Sequence, residues 1–208
     1  MIGTGGFNLA FYLDDITKKY GELFVLDNFK MEMPEIGILC ITGPSGCGKT
    51  SLLSIIAGFM KPDSGSLRGF QDKKISYVFQ EDRLLPWLTA YGNIKSVMDK
   101  NSQYSPEYWL DLVKLSDSMH KYPDELSGGM QRRVAIARAL AYEGDIYILD
   151  EPFKGLDEIL KLDIMNIIKA LSTEKLVLFV THDIEEAIYL STKIIKVLGP
   201  PLKIIDEG

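Results

Sequence analysis

The most informative segment of this sequence is Gly43-Pro44-Ser45-Gly46-Cys47-Gly48-Lys49-Thr50, which follows an apolar run at residues 38–41. It matches the pattern G-x-x-x-x-G-K-[ST] at every fixed position, and a helical apolar pattern at residues 50–59 follows it. In such a loop the glycines turn backbone N–H groups towards phosphates, at the positive end of the next helix. We expect Lys49 to contact the β and γ phosphates of a nucleoside triphosphate, with ATP the expected one, and Thr50 to offer its hydroxyl to Mg²⁺. The predicted nucleotide-binding residues of this segment are Gly43, Pro44, Ser45, Gly46, Cys47, Gly48, Lys49, Thr50 and Ser51.

The composition is that of a folded protein with an acidic balance. The 208 residues include 23 Lys and Arg against 29 Asp and Glu, a formal net charge of −6. Nucleic-acid affinity depends largely on neutralising phosphates with a basic surface, so no nucleic-acid partner is expected. Cys40 and Cys47 form no CxxC or Cys/His pattern, which indicates free thiols rather than a disulfide or a zinc site. No apolar run reaches the roughly 18 to 20 residues that span a bilayer, so the chain itself is expected in the cytosol.

Short apolar runs alternate with helical patterns along most of the chain, which predicts a single α/β domain over residues 1–208 with a mainly parallel sheet. The first two predicted strands indicate instead an antiparallel N-terminal flank, because their apolar and polar residues alternate. No buried-strand pattern occurs between residues 84 and 124, so a helical subdomain is expected at about 84–140. A strand before the glycine loop and a helix after it disfavour the alternative of a chance glycine turn. The predicted strands are 8–14, 23–33, 38–41, 74–79, 146–149, 176–180 and 193–198; the predicted helices are 50–59, 90–99, 106–119, 127–142, 158–171 and 184–190, with a turn at 61–65.

Polar residues capable of chemistry follow several of the predicted strands. One strand ends in the adjacent carboxylates Asp150 and Glu151, which point in opposite directions if the strand continues. One can then lie near a metal ion while the other polarises an attacking water, so Asp150 is assigned to the metal and Glu151 to the base. Gln80 and His182 also follow strands and are expected at the same edge of the sheet. The alternative for each is a solvated or satisfied surface residue, which is how we interpret His120.

The segment Leu126-Ser127-Gly128-Gly129-Met130-Gln131 opens a predicted helix with Ser127 as its N-cap. Glycine costs about 1 kcal/mol relative to alanine inside a helix, so a glycine pair in the first turn is unexpected. Close approach of the backbone to a ligand would explain it, and an anion at the helix N-terminus fits best. From these residues alone, a flexible loop ahead of a helix is an equally good alternative.

Taken together and in this order, these motifs resemble those of ATP-binding cassette (ABC) ATPases over nearly the whole chain, and the Leu-Ser-Gly-Gly stretch is specific to that class. The resemblance implies a phosphate-loop NTPase fold, with the helical subdomain inserted in a RecA-like core. It also implies ATP hydrolysis by an ATP-induced head-to-tail dimer, with a second copy of this chain as the expected partner. ATP would lie between the phosphate loop of one subunit and the signature residues of the other, which here are Ser127, Gly128, Gly129 and Gln131.

The same resemblance implies roles for several single residues. Tyr20 would stack on the adenine ring, with Phe24 close enough to compete for that position. Gln80 would contact Mg²⁺ and the attacking water, and His182 would contact the γ phosphate. Asp157 would lie at the dimer contact. The predicted catalytic residues are therefore Glu151, His182, Gln80 and Lys49, and the predicted metal ligands are Thr50, Gln80 and Asp150.

Residues 78–89 resemble the corresponding stretch of importers for nitrate, sulfonates, taurine and related small solutes. Such systems combine two ATPase subunits with a membrane permease and an external solute-binding protein, so the chain is expected on the inner face of the membrane. Leu85, Pro86 and Trp87 are candidate contacts for the permease; filling the core of the helical subdomain is the alternative.

The sequence departs from the importer pattern in three places. Lys154 stands where these importers usually have a small residue, the helical insertion is a little short, and the chain stops soon after the strand that follows His182. No regulatory C-terminal domain is expected for that reason. The competing hypothesis is an ABC-type regulatory or scaffold ATPase that acts on a membrane protein without moving solute.

Overall fold

The computed structural model describes residues 9–207, and the chain forms two compact units. The first unit contains the residues up to Lys73 and the segment from Leu171 onwards, and the second is Lys74–Ala170. The predicted start of the first strand at Asn8 lies outside the described residues.

The elements in chain order are β1 (Leu9–Tyr20), β2 (Leu23–Pro34), β3 (Gly37–Thr42), α1 (Lys49–Ile56), β4 (Ser64–Arg68), β5 (Ile75–Val78), α2 (Ala90–Lys95), α3 (Pro106–Leu112), α4 (Gly128–Ala141), β6 (Ile146–Asp150), α5 (Glu158–Leu171), β7 (Leu176–Val180), α6 (Ile184–Leu190), β8 (Lys193–Leu198) and β9 (Lys203–Glu207), with 3-10 turns at Ser116–Ser118 and Pro123–Glu125. Within residues 9–207, no helix has the length and apolar character needed to cross a membrane.

An antiparallel sheet of order β2-β1-β4 opens the first unit, which confirms the predicted N-terminal flank. β1 continues to Tyr20, well past its predicted end at residue 14. Asp15 has φ 52, and the pairing with β2 shifts register between Leu13 and Ile16, so the strand bulges there and then resumes. β4 was not predicted, and only its first two residues overlap the predicted turn at 61–65; its side chains are mostly exposed and lack the alternation that marks a half-buried strand.

Four further strands of the first unit lie in the order β7-β3-β8-β9. β3 pairs in parallel with both β7 and β8, and the residues of β3 from Gly37 to Ile41 are all buried, as expected for a central parallel strand. β9 pairs antiparallel with β8 and was not predicted. Four of its five residues are exposed, which is the pattern of an edge strand with little apolar signal.

The second unit contains the parallel pair β5 and β6 together with α2, α3, α4 and nearly all of α5. α4 and α5 agree with the predicted helices, and Ser127 is the N-cap of α4 as expected. α3 ends at Leu112 instead of continuing to residue 119, because Lys114 adopts a left-handed conformation with φ 56. α2 likewise ends at Lys95, earlier than predicted.

Candidate functional site

The glycine loop of the first unit joins the end of β3 at Thr42 to the start of α1 at Lys49. Gly48, which has no side chain with which to cap the helix, occupies the N-cap of α1 with φ 113. A side chain at Gly48 would be strained by this φ, and its Cβ would lie 2.9 Å from Val25 Cγ1. The N-cap residue therefore offers the first N–H groups of α1 no side-chain acceptor, which suits this helix N-terminus to an anion.

Lys49 extends its ammonium group into the curve of this loop. Its Nζ donates to the carbonyl oxygens of Gly43 at 2.7 Å and Pro44 at 2.9 Å, and lies 3.8 Å from Cys47 Sγ. The positive charge is thus held where the loop backbone encloses it, the position needed to contact phosphate oxygens. Cys40 and Cys47 are both buried, and neither forms a disulfide within the described residues.

His182 follows β7, whose Val180 is paired in parallel register with Ile41 of β3. The glycine loop and His182 therefore leave the same edge of the first unit's parallel sheet, in agreement with the sequence analysis. Thr181, which is buried, donates to Glu186 Oε2 at 2.7 Å and accepts from the Asp183 N–H at 3.0 Å. These bonds fix the backbone on both sides of His182, which is exposed.

Tyr20 ends β1 in the first unit and is 49% exposed, while its hydroxyl lies 3.2 Å from Met60 Sδ. Phe24, the competing aromatic residue, has the ammonium of Lys19 over its ring at 3.9 Å. An exposed ring is what adenine stacking requires, and the choice between Tyr20 and Phe24 stays a prediction.

In the second unit, Gln80, Asp150 and Glu151 lie at the carboxyl ends of two neighbouring parallel strands. Val78 of β5 is paired with Leu149 of β6, so the residues after both strands emerge side by side. Asp150 is only 4% exposed, which excludes the alternative of a merely solvated strand end for this residue. Burial raises the pKa of Tyr77, and the Asp150 carboxylate adds to the rise, so this neighbour of Asp150 stays neutral.

Arg132 of α4 also belongs to this edge of the second unit, although the sequence analysis did not select it. Its buried guanidinium donates to backbone oxygens at the ends of both β5 and β6, including those of Phe79, Asp150 and Glu151. The one feature of the sequence that points to Arg132 is its helical spacing with Ala135, Ile136 and Ala139, which places it on the buried face of α4.

The signature segment forms a capped turn before α4. Ser127 Oγ accepts from the Met130 N–H at 3.3 Å, and Gln131 Nε2 donates to the carbonyls of Pro123 and Leu126 at 2.8 and 3.1 Å. Ser127 and Gly128 are exposed. The amide of Gln131 thus stabilises the turn that presents Ser127.

The two glycines of this turn have different reasons to be glycine. A Cβ on Gly129 would lie 2.9 Å from the Gly155 carbonyl oxygen, whereas a Cβ on Gly128 would meet nothing within 4 Å. Gly129 is therefore explained by packing against the segment that contains Lys154 and Asp157, both exposed. Gly128 has no such explanation within the described residues, and close approach of a ligand remains the reason proposed for it.

Substituting alanine for each of these glycines separates the two reasons. Gly129→Ala is expected to lower the free energy of unfolding by about 1–3 kcal/mol, because backbone must move to admit the methyl group. Gly128→Ala is expected to leave it within about 0.5 kcal/mol, since the space is open and alanine favours the helix. Urea unfolding of both variants measures the difference, and equal destabilisation would contradict the packing interpretation of Gly129.

Pro86 and Trp87 are exposed, Trp87 to 69%, so these two candidate partner contacts do not fill the core of the second unit. Leu85 is half-buried. The fully buried Asn93 holds this loop: Oδ1 accepts from the Leu85 N–H, and Nδ2 donates to three carbonyls of residues 85, 88 and 89 at 3.1 Å each. Trp87 is therefore presented on a loop with a defined conformation.

The family model described as ABC transporter matches residues 26–154 of this chain. The aliphatic sulfonates import ATP-binding protein SsuB of Bacillus cereus is 39% identical, over 90% of this chain and 79% of that protein. The bicarbonate transport ATP-binding protein CmpD of Synechocystis sp. is 36% identical, over 94% of this chain and 76% of that protein. The nitrate import ATP-binding protein NrtD of Synechococcus elongatus is 34% identical, over 90% and 74% respectively.

Among solved structures, the dimeric ATP-binding cassette MJ0796 in a post-hydrolysis state bound to ADP and Pi is similar to this chain with a TM-score of 0.85. It is 31% identical and covers 95% of this chain and 97% of its own. A bacterial Atm1-family ABC exporter with ATP bound has the same fold, with a TM-score of 0.85 at 21% identity. The predicted α/β fold of the phosphate-loop NTPase type is thereby confirmed.

Proposed function

Because this chain belongs to the ABC transporter family and is an ATP-binding ATPase, we propose that it powers a membrane importer for a small solute of the nitrate, sulfonate or taurine type. The observation that carries the proposal is that three relatives, 34–39% identical over at least 90% of this chain, are named for sulfonate, bicarbonate and nitrate transport. A fourth relative, named for spermidine and putrescine import, is 36% identical over 95% of this chain, so what these relatives share is the transport of a small solute.

The glycine loop is proposed to bind the phosphates of ATP through its backbone N–H groups and through Lys49. The uncapped start of α1 supports this role, and so does the position of the Lys49 ammonium beside the carbonyls of Gly43 and Pro44. Tyr20 would stack on the adenine, since its ring is exposed.

Hydroxyl, carboxylate and amide oxygens are the donors that Mg²⁺ prefers, and the proposed ligand set of Thr50, Asp150 and Gln80 offers these alone. Mg²⁺ bound there would offset the charge on the β and γ phosphates during hydrolysis. These ligand assignments rest on residue chemistry and on the shared strand edge of Gln80 and Asp150.

Hydrolysis is proposed to use Glu151 as the base that takes a proton from the attacking water. Glu151 is partly exposed, whereas Asp150 beside it is buried, which fits one carboxylate held for a cation and one facing solvent. Gln80 would orient the water, and His182 would donate to the γ phosphate as charge develops there.

Ser127, Gly128, Gly129 and Gln131 are proposed to complete the site of a second copy of this chain. The exposed capped turn at Ser127 and the open space at Gly128 support this role, while Gly129 and Gln131 would act by shaping the turn. Asp157 would lie at the contact between the two copies. The dimeric state of MJ0796 supports the pairing.

The permease is proposed to contact the loop that contains Leu85, Pro86 and Trp87. An exposed tryptophan on a loop fixed by Asn93 is a suitable anchor, because tryptophan buries a large area at little entropic cost. Residues 84–140 would form the helical subdomain that carries this surface. The chain would then lie on the inner face of the membrane, in a system that also includes an external solute-binding protein.

Replacing Trp87 by alanine tests the permease contact. We expect loss of at least about nine-tenths of the permease recovered with the tagged subunit from its native membranes, because a buried aromatic anchor contributes 2 kcal/mol or more. ATP hydrolysis by the isolated subunit should stay within about twofold of the parent, since Trp87 lies outside the nucleotide residues.

Phe59→Ala is the matched control, because Phe59 is an equally exposed aromatic residue of the first unit at 60% exposure. It should leave recovery of the permease unchanged. The recovered complex, placed in vesicles with its solute-binding protein, should hydrolyse ATP faster when nitrate, taurine or an alkanesulfonate is added. A membrane partner that supports no solute-dependent hydrolysis or uptake would count against the importer.

A further inference from the structure

Arg132 is an unusual residue of α4, because its side chain is only 4% exposed while Arg133 and Arg138 of the same helix are partly exposed. Removing a cation from water is costly unless the charge is paired and its donors are satisfied. Asp82 supplies the counter-charge, with its Oδ1 at 3.0 Å from Arg132 Nη1. The remaining donors have backbone oxygens as acceptors.

A guanidinium has five N–H groups, and here five hydrogen bonds engage all three nitrogens. The acceptors are Pro152 O at 2.8 Å from Nε, Asp150 O at 3.0 Å and Glu151 O at 2.6 Å from Nη2, and Phe79 O at 2.5 Å and Asp82 Oδ1 at 3.0 Å from Nη1. All of them lie within the second unit. One side chain therefore joins the residues just after β5 to the residues just after β6.

The bonds to three successive carbonyls explain the backbone of Glu151. This residue has φ 50, a left-handed conformation that residues with a Cβ avoid unless their surroundings impose it. Carbonyls 150, 151 and 152 can converge on one guanidinium only if the chain curves around it. Arg132 therefore holds the backbone that sets the direction of the Glu151 side chain.

The Nη1 group of Arg132 bonds to residues on both sides of Gln80. The Phe79 carbonyl and the Asp82 carboxylate flank Gln80 on both sides, and both accept from Arg132 Nη1. Arg138, two turns further along α4, adds bonds to the carbonyls of Asp82 and Arg83 at 3.0 and 2.9 Å. α4, which begins at the signature turn, is thus bonded directly to both segments.

We propose that Arg132 is a positioning residue for ATP hydrolysis, which sets the geometry of Glu151 and Gln80 together and joins both to the helix that begins at Ser127. This inference rests on the proposed roles of Glu151 and Gln80. Movement of α4 on contact with a second copy at Ser127 would be transmitted to both residues through one rigid, fully bonded group. All five hydrogen bonds of Arg132 have protein acceptors, so no direct contact with the nucleotide is assigned to it.

The test is steady-state ATP hydrolysis by Arg132→Lys and Arg132→Gln in the full chain. Lysine keeps the charge but has three donors, and glutamine has two, so several acceptors lose their partner in each variant. We expect kcat to fall about tenfold for the lysine variant and about 30-fold or more for the glutamine variant, since small misplacements of catalytic groups cost up to about a hundredfold. KM for ATP should stay within about threefold, because the phosphate loop receives no bond from Arg132.

Arg133 provides the matched control. It lies beside Arg132 in α4 and donates to the backbone oxygens of Gly129 at 3.4 Å and of Val113 and Lys114 at 3.2 and 3.0 Å, but to none at residues 79–82 or 150–152. Arg133→Lys should leave kcat within about twofold. Should the glutamine variant not fold, Arg132→Lys decides the result, since it keeps the length and charge of the side chain.

A double-mutant cycle with Glu151→Gln distinguishes positioning from a general structural effect. If Arg132 acts in part through Glu151, then Arg132→Lys should lower single-turnover hydrolysis by a smaller factor when Glu151 is already glutamine, and the factor that remains measures the effect through Gln80. An unchanged kcat in both Arg132 variants, a rise in KM alone, or full multiplication of the two effects would each overturn the proposal. Normal hydrolysis by Glu151→Gln would show that Glu151 is not the base. Normal hydrolysis by Arg132→Lys, together with an inactive Glu151→Gln variant, would contradict only the role of Arg132.

Discussion

Glu151→Gln is expected to bind ATP as tightly as the parent while its steady-state hydrolysis falls at least about a hundredfold. A general base contributes about 10²–10⁴ to the rate, and an amide cannot accept the proton of the attacking water. Binding should survive because the phosphate loop and Lys49 are unchanged, and because glutamine fills the same volume in the partly exposed position of Glu151. Equilibrium dialysis with labelled ATP, together with phosphate release, measures the two quantities separately.

The same variant should accumulate a dimer when ATP is added. If hydrolysis ends the proposed state in which ATP bridges two copies, a chain that binds ATP without hydrolysing it should remain paired. Light scattering with and without ATP detects the change in mass. Glu158→Gln is the control, because Glu158 is an exposed carboxylate of the same unit that forms a surface ion pair with Lys161 at 3.1 Å. Hydrolysis by Glu151→Gln at the parent rate would show that Glu151 is not the base.

The strand-end residues were predictable because their chemistry and their position coincide in the sequence. A run of apolar residues followed by Asp150 and Glu151, or by His182, places polar groups at the end of a buried strand, and parallel strands bring such ends together. In the second unit, the structure confirms that Gln80 and Asp150 lie at the ends of paired strands. In the first unit, the glycine loop and His182 likewise follow the ends of paired strands.

The elements missed by the sequence analysis are those whose structure depends on pairing rather than on pattern. β4 and β9 are mostly exposed, so neither shows the apolar alternation by which strands are recognised. The early end of α3 follows from the left-handed conformation of Lys114, and lysine has no local preference that announces it. Such features are decided by tertiary contacts.

Arg132 shows a different limit. An arginine within the apolar stripe of a helix usually extends its charge to solvent, so its position alone does not predict burial. Its acceptors come from residues 79–82 and 150–152, far away along the chain, and three of the carbonyls converge only because Glu151 adopts φ 50. The role of such a residue becomes visible once the two strand ends are seen together.

Mixing a Lys49→Ala variant with a Ser127→Arg variant should restore hydrolysis that neither shows alone. If ATP lies between the phosphate loop of one copy and the signature turn of another, a mixed pair contains one site with both defects and one site with neither. With random pairing at equal amounts, half of the pairs are mixed, so activity should recover to about a quarter of the parent value. The exposed position of Ser127 allows arginine to obstruct that contact without disturbing the core.

A second mixture, Lys49→Ala with Glu151→Gln, tests whether recovery requires a site shared between two copies. Lys49 and Glu151 are proposed to serve the same ATP from the same copy, so mixing Lys49→Ala with Glu151→Gln leaves each site of a mixed pair with one defect, and no recovery is expected. A site contained within a single chain predicts no recovery in either mixture, at any ratio. Recovery in the first mixture and none in the second therefore requires that Ser127 acts on the nucleotide held by another copy. The same arrangement would allow ATP binding to draw two copies together and so perform work on a permease held between them.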